Sequence, residues 1–219
     1  LEAEKAGEIA AAAVAATNVS GSLCFRGDFT GALEIADKGI LLIEKNGRTT
    51  DSFGTGFPLY PALMVVHSYS KAMLGDFADG EPCCEQVLRF ATDLQHLRTM
   101  AVAEVVSGLV STVRGKDLES CFKHLQNGVR YSEETGFSPY LALAWTCTGW
   151  AHWMQGNLDM AIDCGQKAVS TQSETGTTAM SALTHLLLGT ISLDSGDPPR
   201  ALESIEKALK LSQTCDERY

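Results

Sequence analysis

Apolar and polar positions recur along this chain with a helical period, in two alternating kinds of segment. "DPPRALESIEKALKLSQ" (197–213) places Ala201, Leu202, Ile205, Ala208 and Leu209 on one stripe, with Glu203, Glu206, Lys207 and Lys210 outside it. That is an amphipathic helix, with Asp197 suited to its N-cap and Pro198 to its first position. "LALAWTCTGWAHWMQG" (141–156) has too few polar residues for a solvent face and predicts a largely buried helix. Reading the whole chain this way predicts ten helices, near 2–25, 29–46, 58–74, 78–95, 97–114, 117–135, 138–155, 158–174, 177–195 and 199–214. No convincing period of two occurs, so no sheet is expected and the fold class is all-α.

The helices repeat in pairs. Gly27, Gly75, Gly115, Gly156 and Gly196 sit in similar turns, separated by 48, 40, 41 and 40 residues. The long first step holds the turn-rich insert "NGRTTDSFGTGFPLYP". Seven residues before the glycines stand Ser20, Ser68, Gly108, Gly149 and Gly189; five after stand Ala32, Gly80, Ser120, Ala161 and Ala201. All are small. Twelve after stand Gly39, Val87, Asn127, Ala168 and Ala208, a looser set. Small side chains at matched offsets let two helices joined by a short turn approach closely. Five helix–turn–helix units follow, spanning about 2–46, 58–95, 97–135, 138–174 and 177–214 within one domain, 1–219. One unit cannot bury its own apolar face, whereas stacked neighbours can.

These units resemble tetratricopeptide repeats (TPR). In the fourth, Trp145, Gly149 and Ala161 match the family's pattern, while Thr148, His152 and Gly165 stand where Leu, Tyr and Phe are usual. In the fifth, Leu188, Gly189, Ala201 and Ile205 fit, and His185 replaces Trp; the closing Pro is missing from both. The resemblance implies a right-handed superhelical solenoid. A step near 40 is similar to variant arrays in large bacterial signalling ATPases, including adenylate cyclases and ATP-dependent transcription activators, where the array is a sensor or interaction arm. That implies a cytoplasmic setting and a parent protein of which this chain, starting at Leu1, is a piece.

In such an array the first helix of each unit lines the concave face. Positions ten, six and three before each turn glycine give Thr17, Gly21 and Cys24; Val65, Tyr69 and Ala72; Val105, Leu109 and Thr112; Thr146, Trp150 and Trp153; and Leu186, Thr190 and Leu193. None is charged. Tyr69, Leu109, Thr112, Thr146, Trp150, Trp153 and Thr190 are the candidate partner-binding residues. Tyr69, Trp150 and Trp153 are either anchors for an apolar segment or packing between units. Trp145 occupies the family's core position and is assigned to packing. A clamp for a C-terminal carboxylate needs cations on this face, and it has none.

Net charge is −10, without a Lys/Arg-rich run, so nucleic acid is not expected as a direct ligand. No signal peptide is visible, and no apolar run is read as a membrane span. Seven cysteines, an odd number without a C-x-x-C pair, read as reduced thiols and not as disulfides or metal ligands. There is no P-loop, H-E-x-x-H or G-x-S-x-G, and "FGTGF" (53–57) reads as a loop. His67, His152 and His185 are explained by packing; His124, three residues from Cys121, lacks a third catalytic partner. Scattered carboxylates such as Glu133–Glu134 and Asp216–Glu217 read as solvated. No cofactor, metal or catalytic residue is expected. The leading function is a non-catalytic protein-interaction scaffold. The alternatives are a receptor for a peptide or small molecule, and an all-helical enzyme. The last unit lacks a polar capping helix, so a homodimer through it, or further repeats, is expected.

Overall fold

A computed structural model describes residues 2–178 and 180–216, with side chains over 7–178 and 180–213. Ten helices fill it: α1 (Glu2–Phe25), α2 (Phe29–Lys45), α3 (Leu59–Met73), α4 (Phe77–Asp93), α5 (Leu97–Arg114), α6 (Leu118–Thr135), α7 (Ser138–Met154), α8 (Leu158–Thr175), α9 (Ser181–Asp194) and α10 (Pro198–Asp216). No strand occurs among the described residues. The largest departure from the sequence reading is the start of α9. Met180, with φ of 60°, takes the N-cap of α9, so Thr177 and Thr178 lie outside that helix.

Consecutive helices pack together, and each odd-numbered helix also touches the next odd-numbered one. Among the described residues no even-numbered helix reaches another. The odd helices therefore form an inner layer and the even helices an outer layer that splays: a helical solenoid. α5 is its centre, buried without interruption from Ala101 to Val110.

The small residues lie at the pair contacts. Ser20 and Ser68 are fully buried, and Gly108, Gly149 and Gly189 are buried too. A Cβ on Gly149 would stand 3.2 Å from the carbonyl oxygen of Ala161, and one on Gly189 would stand 3.2 Å from that of Ala201. In units two, four and five the two sets of small residues thus face one another across the pair, a Cβ on Gly80 likewise standing 3.1 Å from the Ser68 carbonyl oxygen. The five turn glycines have φ between 68° and 86°, which only glycine adopts without strain.

Unit three corrects the repeat. Asp28, Asp76, Asn157 and Asp197 follow their turn glycines directly, but Lys116 intervenes between Gly115 and the N-cap Asp117. Every later position moves by one. The residue opposite Gly108 is Cys121, fully buried with its thiol 3.4 Å from the Gly108 carbonyl, and not Ser120. Gly128 replaces Asn127 in the looser set, its absent Cβ leaving room for Val105. So amended, that set is Gly39, Val87, Gly128, Ala168 and Ala208, all buried.

A second correction concerns α1. By length and composition Gly7–Phe25 is long and apolar enough to cross a membrane. No unbroken apolar run marks it in the sequence, because Thr17, Asn18, Ser20 and Ser22 interrupt it and its apolar character comes mainly from alanine. In the fold α1 packs on α2 and α3, with Ala13 and Ser20 fully buried. The insert before α3 folds inward: Asp51 accepts from the Phe53 backbone, and Phe53 and Phe57 pack on the core formed by α1 to α5.

Candidate functional site

The inner layer carries a cleft of about 290 Å³ across α1, α3, α5 and α7. Thr17, Gly21 and Cys24 form one wall, Val65 and Tyr69 the next, with Leu109, Tyr140 and Leu143 beyond. Phe57, Phe137 and Met180, from the joints between units, complete its lining, which includes no charged residue. The sequence reading placed Thr17, Gly21, Cys24, Val65, Tyr69 and Leu109 on this face but missed Tyr140 and the joint residues. Their signal was an apolar residue just before or at the start of a first helix, outside the three offsets used.

Besides the Thr17 hydroxyl, which donates to the Ala13 carbonyl, three polar groups enter the apolar cleft. Tyr69 packs edge-on against Phe29 with ring centroids 5.6 Å apart, and Tyr140 packs against Phe137 at 5.0 Å. Neither phenol hydroxyl bonds another described residue, and neither is sealed from open space. Burial pushes both phenols up to about 12, so both stay protonated and can donate. The Cys24 thiol is near both and lies 3.4 Å from the Ser70 hydroxyl. Burial raises it as well, keeping the neutral thiol, a poor nucleophile.

The other candidates lie elsewhere. Thr146 is fully buried: its hydroxyl donates to the Ala142 carbonyl and lies 2.7 Å from that of Thr184, so it belongs to the interior between α7 and α9. The Thr112 hydroxyl donates to the Gly108 carbonyl and lies 3.2 Å from the Cys121 sulfur. Thr190 donates to its own helix at the Leu186 carbonyl. Trp150 and Trp153 meet edge to face at 5.3 Å and pack on Ala161, Leu187 and Ile191. The Trp153 indole donates to Asp194 at 2.6 Å, while the Trp150 indole N–H is buried without a partner. Trp145 is half-buried, with the Lys167 ammonium 4.7 Å over its ring.

The histidines divide by partner. His67 bonds Asp37 at 2.7 Å, and His96 caps α5 by accepting from Thr99. His124 bonds Glu104 at 2.6 Å, and Asn127 donates to the same carboxylate at 3.0 Å. His124 and Cys121 thus serve different partners despite their spacing. Six described cysteines are free thiols, and no cluster of three metal-ligating side chains occurs among the described residues. Cys215 and Glu217 lie outside the described side chains.

The geometry defines an array of TPR-like helical repeats. Among solved structures, a crystal structure of nearly identical TPR-like repeats from a Podosopora anserina kinesin light chain superposes with a TM-score of 0.57 at 15% identity, covering 94% of this chain and 96% of that one. MamA from residue 41 to its end, from Desulfovibrio magneticus RS-1, gives 0.49 at 21% identity, covering 93% and 96%. A MamA RS-1 double mutant gives 0.49 at 20%, covering 94% and 97%. No protein-family model matches the chain, and no curated protein does. At these identities the likeness extends to the fold alone.

Proposed function

We propose that this chain is a non-catalytic protein–protein interaction scaffold, a single domain of five repeats acting as the regulatory or sensor arm of a cytoplasmic bacterial signalling protein. The observation that carries this reading is the inner cleft: apolar, uncharged, and built from several units at once. An apolar protein segment loses little hydration there and finds phenol donors at Tyr69 and Tyr140. The step near 40 residues supports the signalling-ATPase type of array. Photocrosslinking tests the groove. A photoreactive residue at Gly21 should give protein adducts in cells, and one at Asp159 on outer helix α8 should give none. Equal adducts at both sites, or none at either, would overturn the reading.

The concave shape of the cleft and its two phenols favour a second reading, a receptor for a short peptide or small molecule. Adducts of low mass at Gly21 would select it.

The outer face of α10 supports self-association. Leu202, Ile205 and Leu209 are 59%, 40% and 58% exposed. Their counterparts on α6, Phe122, Leu125 and Val129, pack into the core that α6 shares with α5 and α7. Leu209→Glu should shift a dimer to monomer in light scattering; a wild-type chain that is already monomeric at micromolar concentration would exclude the dimer.

A further inference from the structure

Neighbouring units close their outer junctions with specific side chains, and the last junction lacks them. In the gap between α4 and α6, α5 supplies Arg114, which pairs with Glu81 of α4, and Glu104, which holds His124 and Asn127 of α6. In the gap between α6 and α8, α7 supplies His152, which packs tilted against the Phe122 ring of α6 with centroids 4.6 Å apart, and Trp145, which lies under Lys167 of α8. Between α8 and α10 the corresponding residues are Ile162 for Phe122, Ser192 for His152 and His185 for Trp145. Each is smaller. The result is a cleft of about 550 Å³ between α8, α9 and α10, within the size range of small-molecule sites.

Two buried polar side chains line it without partners. His185 and Ser192 are each 8% exposed, neither bonds another described residue, and neither is sealed from open space. Both line the cleft, so their free polar atoms have this cavity to serve. Lys207 stands where Lys167 stands in unit four and lies close enough to His185 to help hold its imidazole neutral, after burial. The ammonium that covers a ring in unit four is therefore retained, while the ring is replaced by a smaller one. The charges lining the cleft balance: Asp197 and Glu203 against Arg200 and Lys207.

We propose that this cleft binds a small, neutral, planar heteroaromatic molecule with polar edges, of nucleobase size. Its ring takes the space left where Ile162, Ser192 and His185 replace the bulkier Phe122, His152 and Trp145, beneath Lys207 and beside His185. Its polar edge bonds Ser192 and the imidazole. The site is on the outer side, separate from the inner cleft, so it stands whether or not the inner cleft binds protein.

The test uses the whole chain with adenine and indole as probes, followed by calorimetry and by amide NMR. Adenine should bind, with shifts confined to α8–α10, and indole, which lacks the acceptor edge, should bind about tenfold more weakly, the loss expected for one hydrogen bond. Ser192→Ala should weaken adenine by a similar factor. His185→Trp restores the residue of unit four and should abolish binding without lowering the melting temperature. Ile162→Phe supplies a second refilling variant should that one fail to fold. A folded wild-type chain that binds neither probe at millimolar concentration, shifts centred on the inner cleft, or unchanged adenine affinity in a folded refilled variant would each overturn the proposal.

Discussion

At Gly149 a single hydrogen decides how near two helices can come. A Cβ there would lie 2.6 Å from a Leu187 methyl and 3.2 Å from the Ala161 carbonyl, and the carbonyl cannot move without its helix. Gly149→Leu should therefore destabilise the chain by about 1–3 kcal/mol, read by chemical denaturation. Gly21 is the control: nothing stands within 4 Å of its Cβ position, so Gly21→Ala should stabilise by about 0.5–1 kcal/mol through helix propensity. His152 supplies a pH dependence. Burial lowers its pKa below the ordinary 6.5, and its Nδ1 is buried without a partner. Between the two values the unfolded chain holds the extra proton, so its contribution to stability is present above 6.5 and lost as pH falls through the folded value. Melting temperature should fall from pH 7 to pH 5, and His152→Leu should flatten part of that slope; an unchanged slope would remove His152 from the account.

At the scale of elements, the helices were legible from apolar periodicity, and most sharply at the start of each even-numbered helix, where a turn glycine and an Asp or Asn coincide; α9, which starts at Met180 without such a cap, is where the boundary was missed. The candidate site was legible in part. Offsets from the turn glycines locate Tyr69 and Leu109 on the inner cleft, since these offsets follow helical geometry. The same offsets put Thr146 on a surface, although α9 covers it. A position on one helix does not reveal how closely the next helix lies. Lys116 was missed for a related reason: an added residue lengthens the step from Gly115 to Gly156 to 41, but where in the step it falls shows only in which side chains meet. The buried Glu104 is the clearest test at this scale. Glu104→Ala leaves His124 and Asn127 without their shared acceptor and should cost about 1–3 kcal/mol by thermal or chemical unfolding.

Across the whole molecule, the inner helices form one continuous seam while the outer helices stand apart from each other. Such a body is stiff along one side and compliant along the other. Pulling on its ends costs little while only the gaps between outer rods widen, and the resistance rises once the inner seam must part. A guest wedged between two outer rods, as in the space beside His185, would act as a shim. It would alter the curvature of the coil there, and with it the shape of any groove on the opposite side.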